Sequence, residues 1–130
     1  MIVLDTHVWV RWVVEGDSAL PAEVASVLRT EERVAVSAVS CLEVALLRKR
    51  GRIELSVTTP EWLALALAPA GVECLEVTCP IAELSAGLPD HHRDPADRII
   101  IATALMHDAR LASLDQTFPL YTELAGRLMP

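Results

Sequence analysis

Apolar residues fall along this chain in two rhythms. Short runs of β-favouring residues alternate with longer stretches in which apolar side chains return every three or four positions, the period of a helix face. Ile2 to Leu4 forms a first strand ending at Asp5-Thr6, a capping pair for a helix carrying Trp9, Val10, Val13 and Val14. Pro21 opens a second amphipathic stretch to about Leu28, and Val34 to Val36 makes a second strand. Ser37 to Arg50 predicts a helix with Leu42, Leu46 and Leu47 on one side, stopped by Gly51. Further helices are expected from Pro60 to Ala68, from Pro80, and from Asp94-Pro95 into the Ile-rich run that ends at Leu105. Val72 to Val77 and Leu111 to Leu114 are strands, Phe118 to Leu120 reads as a weak edge strand, and a short helix closes the chain.

Strands separated by helices, with no hairpin dipeptide between them, point to an α/β fold. Its parallel sheet is covered on both faces, and such sheets bind ligands beyond the C-terminal ends of their strands. The length, 130 residues, suits one domain spanning residues 1–130. Trp9, Trp12 and Trp62 are expected in the core.

Charge narrows the chemistry. With 11 Lys plus Arg against 18 Asp plus Glu, the net charge of -7 excludes nucleic-acid binding over the whole surface, so any such contact is local. The one basic cluster is Arg48 to Arg52 (RKRGR), which serves equally well as a solvated helix end complementing the dipole. Cys41, Cys74 and Cys79 lack metal-type spacing and form an odd set, which suits a reducing, cytoplasmic setting. The apolar start is broken by Asp5, His7 and Arg11, so no leader or membrane segment is expected.

Four acids stand where the predicted sheet would gather them: Asp5 after the first strand, Glu43 within CLEVALL, Asp97 in DPAD, and Asp115 in SLDQTF. Each has an ordinary explanation taken singly. Asp5 caps a helix, Glu43 faces solvent between buried Leu42 and Leu46, Asp94-Pro95 with Asp97 forms a helix start, and Asp115 makes a turn. Asp97 also shares a helix side with Ile101, Leu105 and Asp108. Jointly, carboxylates at one sheet edge need a cation to stay ionised, and hard oxygen donors suit Mg²⁺, with Mn²⁺ plausible. Such a site hydrolyses phosphodiesters without a protein nucleophile. His91 and His92 read as solvated loop residues, and His7 either lines the pocket or packs beneath it.

The blocks VLDTHVWV, SAVSCLEVALLRKRGRIEL, LPDHHRDPADRIIIATAL and LASLDQTF, in this order and spacing, resemble the PIN-domain family, specifically the VapC-type toxins of bacterial toxin–antitoxin pairs. The resemblance covers nearly the whole chain. It implies a three-layer α/β/α fold with a mainly parallel central sheet, and a Mg²⁺-dependent endoribonuclease blocked by a cognate antitoxin and assembled as a homodimer. By position, it makes Asp5 and Asp97 the principal metal ligands, has Glu43 bind metal or orient water, and has Asp115 complete the pocket. Two departures stand out. Ser113 occupies a place that often carries Thr, keeping the hydroxyl, and Cys41-Leu42 replaces a frequent Leu-Trp pair. Two competing readings are a phospho-receiver domain, for which the single lysine, Lys49, lies in the wrong half of the chain, and a PIN-like module without catalysis.

Overall fold

The computed structural model describes residues 1 to 129. Five strands form one sheet: β1 (Ile2–Leu4), β2 (Val34–Ser37), β3 (Val72–Leu75), β4 (Arg110–Ala112) and β5 (Leu128–Met129). Their order is β3-β2-β1-β4-β5 and every pairing is parallel, so each connection must cross the sheet as a helix or a long loop. The helices are α1 (Thr6–Glu15), α2 (Ala22–Thr30), α3 (Ala38–Lys49), α4 (Thr59–Ala66), α5 (Cys79–Gly87) and α6 (Pro95–Met106).

The period-2 alternation of the strands divides the core into two layers. Ile2, Leu4, Val34, Val36 and Val72 face one side, against Val8 and Trp9 of α1, Val24 and Leu28 of α2, and Trp62 and Ala66 of α4. Val3, Ala35 and Leu111 face the other, against Ile100, Ile101 and Ala104 of α6 and against Phe118, Tyr121 and Leu124. Strand β1 is wholly buried between them, as its unbroken Ile-Val-Leu run requires. The result is the three-layer α/β/α arrangement. Of the three tryptophans, Trp9 and Trp62 are buried and meet edge-on with centroids 5.0 Å apart, and Trp9 Nε1 donates to Ala66 O at 3.0 Å. Trp12 is half-buried, its indole N–H donating to Asp17.

Helix ends follow the local signals. Asp94 accepts from the Ala96 N–H with Pro95 at the first helical position of α6. Gly51, at φ +68°, ends α3 in a Schellman turn: the Arg52 N–H bonds Leu47 O and the Gly51 N–H bonds Arg48 O. Helix α5 ends differently, on the side chain of Arg98. That guanidinium is buried and donates to the carbonyls of Ser85, Ala86, Leu88, Pro89 and His92 at 2.7 to 3.3 Å. One α6 residue thereby anchors the end of α5 and the loop that leads into α6.

Three expectations are corrected at the C-terminal end. Phe118–Leu120 is a 3₁₀ turn and not an edge strand, because Pro119 has no N–H for a ladder and Phe118 is fully buried in the second core layer. The edge is formed instead by β5, with Leu128 opposite Leu111 and Met129 opposite Ala112. The closing helix is only the 3₁₀ turn Thr122–Leu124. Asp108 lies beyond the end of α6, at φ 51°, exposed and paired with Arg127, so it shares no helix side with Asp97.

Candidate functional site

The chain builds outward from β1 in both directions, β2 and β3 on one side, β4 and β5 on the other. A crevice opens beyond the strand ends where the direction reverses. Asp5 directly follows β1, Asp115 lies just past β4, Glu43 sits in the second turn of α3 and Asp97 in the first turn of α6. All four line one groove of about 420 Å³. Asp5, Glu43 and Asp97 each offer an oxygen within 4.8 Å of the others, and Asp97 and Asp115 form a second such group with His92.

Each carboxylate is held. Asp5 is buried, and its Oδ1 accepts the Thr6 N–H at 2.8 Å while Oδ2 accepts the Ser113 hydroxyl at 2.9 Å. The capping role read from sequence is thus real, and the same side chain also faces the other acids. Ser113 Oγ further accepts the Asp115 N–H at 3.0 Å, so its hydroxyl links two of the acids. Glu43 does not face solvent. It is half-buried, and Oε1 accepts the hydroxyl of Thr6, which lies 2.8 Å from Ser40 Oγ. Leu42 is exposed rather than buried, and with Leu46 and Leu47 it lines the groove. Asp94 and His7 also line it, Asp94 as the α6 cap and His7 exposed at its rim.

His92 corrects the expectation of two solvated histidines. His91 is exposed, but the His92 side chain is 9 % exposed, with Nε2 at 3.0 Å from Asp115 Oδ2 and 4.0 Å from Asp97 Oδ2. Its ring's hydrogen-bond partners, Tyr121 and Asp115, lie more than twenty residues away in sequence, so no local pattern announces them. Thr6 and Ser40 were also missed, yet a signal existed: Ser37, Ser40 and Glu43 recur every three residues on an otherwise apolar helix.

Crowding shows in the acid strengths. Burial, then the neighbouring Asp5 and Glu43 charges, push the Asp97 carboxyl up to about 7. Burial also raises Asp5 and Glu43. Asp115 moves the other way: burial opposes ionisation, but the Thr117 N–H and His92 together bring it below the ordinary value. Three oxygen donors that resist simultaneous ionisation are a donor set that fits a divalent cation. Burial holds the Cys41 thiol up to about 11, so it supplies no thiolate nucleophile.

Stability in the absence of metal follows from the Asp97 shift. The carboxyl releases its proton near 3.8 when unfolded and near 7 when folded, so the stabilisation is complete below the lower value and is lost as pH rises through the higher. Asp5 and Glu43 act in the same direction and Asp115 in the opposite one. Metal-free protein is expected to be more stable at about pH 5 than at about pH 7.5, read by chemical denaturation, and Asp97→Asn to flatten most of that dependence.

The phospho-receiver reading fails on Lys49, which is exposed at the end of α3 and not on a strand. No helix among the described residues is long and apolar enough to cross a membrane. A family model described as the PIN domain matches residues 2–124. Ribonuclease VapC22 of Mycobacterium tuberculosis is 34% identical over 116 residues, 88% of this chain and 87% of that protein. The fold matches VapBC2 from Rickettsia felis bound to a promoter DNA fragment, with TM-score 0.71, 17% identity, and 99% and 98% of the two chains covered. It also matches a toxin–antitoxin complex from Klebsiella pneumoniae, with TM-score 0.63, 19% identity, and 100% and 97% covered. Fold, sequence and the acids gathered at the sheet edge agree, and the chain belongs to the PIN-domain family, with VapC-type proteins as its relatives.

Proposed function

We propose that this chain is a Mg²⁺-dependent endoribonuclease, a single PIN domain over residues 1–130 acting in the cytoplasm as the toxin of a toxin–antitoxin pair. The observation that carries this reading is the convergence of Asp5, Glu43 and Asp97 within 4.8 Å at the sheet edge, with Asp115 in the same groove. The ribonuclease name of the M. tuberculosis relative supports RNA as the substrate class.

Asp5 and Asp97 are the principal ligands for Mg²⁺, with Mn²⁺ an acceptable substitute. When bound, the ion supplies the Lewis acidity that activates water and offsets charge on a phosphoryl oxygen. Glu43 Oε1 is occupied by Thr6, which leaves Oε2 to accept a proton from the attacking water, and burial suits the carboxyl to that task. Asp115 completes the acidic pocket, fixed through Ser113 and Thr117.

An acidic pocket repels RNA unless cations lie close by. Arg50 and Arg52 line the same groove, and Arg50 lies about 10 Å along the helix direction from Glu43 at 1.5 Å per residue. They are placed to bind phosphates that flank the one being cut. The double replacement Arg50→Ala with Arg52→Ala is expected to weaken RNA binding roughly tenfold and to make it less salt-dependent, by about one unit of slope per arginine, measured by filter binding across a salt series.

The apolar rim of Leu42, Leu46 and Leu47 fits the apolar face of an antitoxin helix, which would cover the acids as it docks. The toxin–antitoxin complexes among the structural neighbours support such a partner, and the resemblance to VapC-type toxins implies a homodimer. The test is cleavage of a mixed structured-RNA pool by purified protein freed of any co-purifying partner, with Mg²⁺, with Mn²⁺ and with EDTA. Cutting that requires metal and spares DNA supports the assignment. Folded protein that leaves every RNA intact while binding it contradicts the assignment and leaves a non-catalytic module.

A further inference from the structure

We propose that His92 is a positioning residue for the Asp115 carboxylate, held between Asp115 and Tyr121 in the single tautomer that donates from Nε2. The inference rests on the nuclease reading for its kinetic consequence and on the geometry alone for the tautomer. Tyr121 Oη accepts the His92 backbone N–H at 3.0 Å, and the same oxygen lies 3.0 Å from His92 Nδ1. An ionised carboxylate only accepts, so the neutral ring carries its proton on Nε2 and donates it to Asp115 Oδ2 at 3.0 Å. Nδ1 is then the bare nitrogen and accepts the one proton of the Tyr121 hydroxyl. The other tautomer sets a bare nitrogen lone pair against a carboxylate.

Packing holds the ring in place. It stacks on Tyr121 at 5.5 Å and 10° and meets Phe118 edge-on at 5.0 Å, both of them buried, while Arg98 holds the His92 carbonyl at 3.3 Å. Asp115 is then gripped at both oxygens, Oδ1 by the Thr117 N–H at 2.7 Å and Oδ2 by His92. Nε2 also stands 4.0 Å from Asp97 Oδ2, so the ring lies beside both carboxylates, while Asp97 also faces Asp5 and Glu43. A nitrogen that carries its proton has no lone pair for a metal. His92 is thereby assigned to positioning and excluded from the ligand set, although its distance alone admits it.

Long-range ¹H–¹⁵N correlation spectra of the histidine rings, at about pH 8 where free imidazole is neutral, read the tautomer directly. The His92 signals are assigned by their loss in His92→Gln. The Nε2–H form is expected in the wild type and in Tyr121→Phe, unchanged by Mg²⁺, with a mixture of tautomers once Asp115→Ala removes the carboxylate that accepts from Nε2. An Nδ1–H ring, a doubly protonated ring, or a switch on adding Mg²⁺ overturns the assignment. In cleavage assays His92→Leu is expected to lose kcat roughly tenfold with KM unchanged, and His92→Gln, which keeps an N–H donor, to stay within roughly threefold of wild type. Equal losses in both variants overturn the positioning role. If the chain cuts no RNA, the nuclease reading fails and the spectra still decide the tautomer.

Discussion

Replacing Asp97 by asparagine is expected to lower Mg²⁺-dependent RNA cleavage by at least about a thousandfold while the fold stays intact. The amide matches the carboxyl in size but carries no charge, so it removes one of the three acids that converge within 4.8 Å and weakens the hold on the cation. The metal-free variant is expected to be more stable than wild type at neutral pH, because Asp5 and Glu43 then face a neutral neighbour. Higher stability together with lost activity separates a site residue from a structural one, since a merely structural residue loses both. Thermal melts with and without Mg²⁺ alongside the cleavage assay give both readings.

Arg98→Met carries the largest expected effect on stability, roughly 3 to 5 kcal/mol, or a drop in Tm on the order of 10 °C. The ion pair with Asp90 explains little of this, because Asp90 is 98% exposed and such pairs are nearly worthless in water. The hydrogen bonds decide it. Five carbonyls, from Ser85 to His92, lose their donor at once, in a place that the α5–α6 packing shields. Arg98→Lys is expected to recover only part of the loss, since an ammonium offers three donors on a point charge where a planar fork supplied five. A denaturation curve for each variant checks the order wild type, Lys, Met. If Met proves as stable as wild type, water replaces the guanidinium and the anchoring role is lost.

Much of the site was legible because its signals are local. Asp94-Pro95-Ala96-Asp97 announced a helix start with one acid to spare, and the structure uses Asp94 as the cap and turns Asp97 toward Asp5 and Glu43. Strand β1 was readable from three residues, since only a strand buried on both faces is apolar throughout. Other features depend on contacts that periodicity does not carry. The spacing of Leu42, Leu46 and Leu47 shows that they share a side, but nothing in it tells whether protein or open groove covers that side. His92 is set by Tyr121, 29 positions later. Strand β5 is only two residues long, and its place is decided by β4 and not by its own composition.

The role proposed for the converging acids is to bind a divalent ion that drives RNA cleavage. Its most direct test is a titration of Mn²⁺ into metal-free, partner-free protein, followed by electron paramagnetic resonance, with RNA cleavage measured in the same samples and Asp97→Asn run beside wild type. The predicted result is a saturable Mn²⁺ signal in wild type whose occupancy tracks the cleavage rate, with both binding and cleavage lost in the variant. Cleavage that proceeds at full rate with Asp97→Asn, or that survives when no ion is bound, contradicts the account.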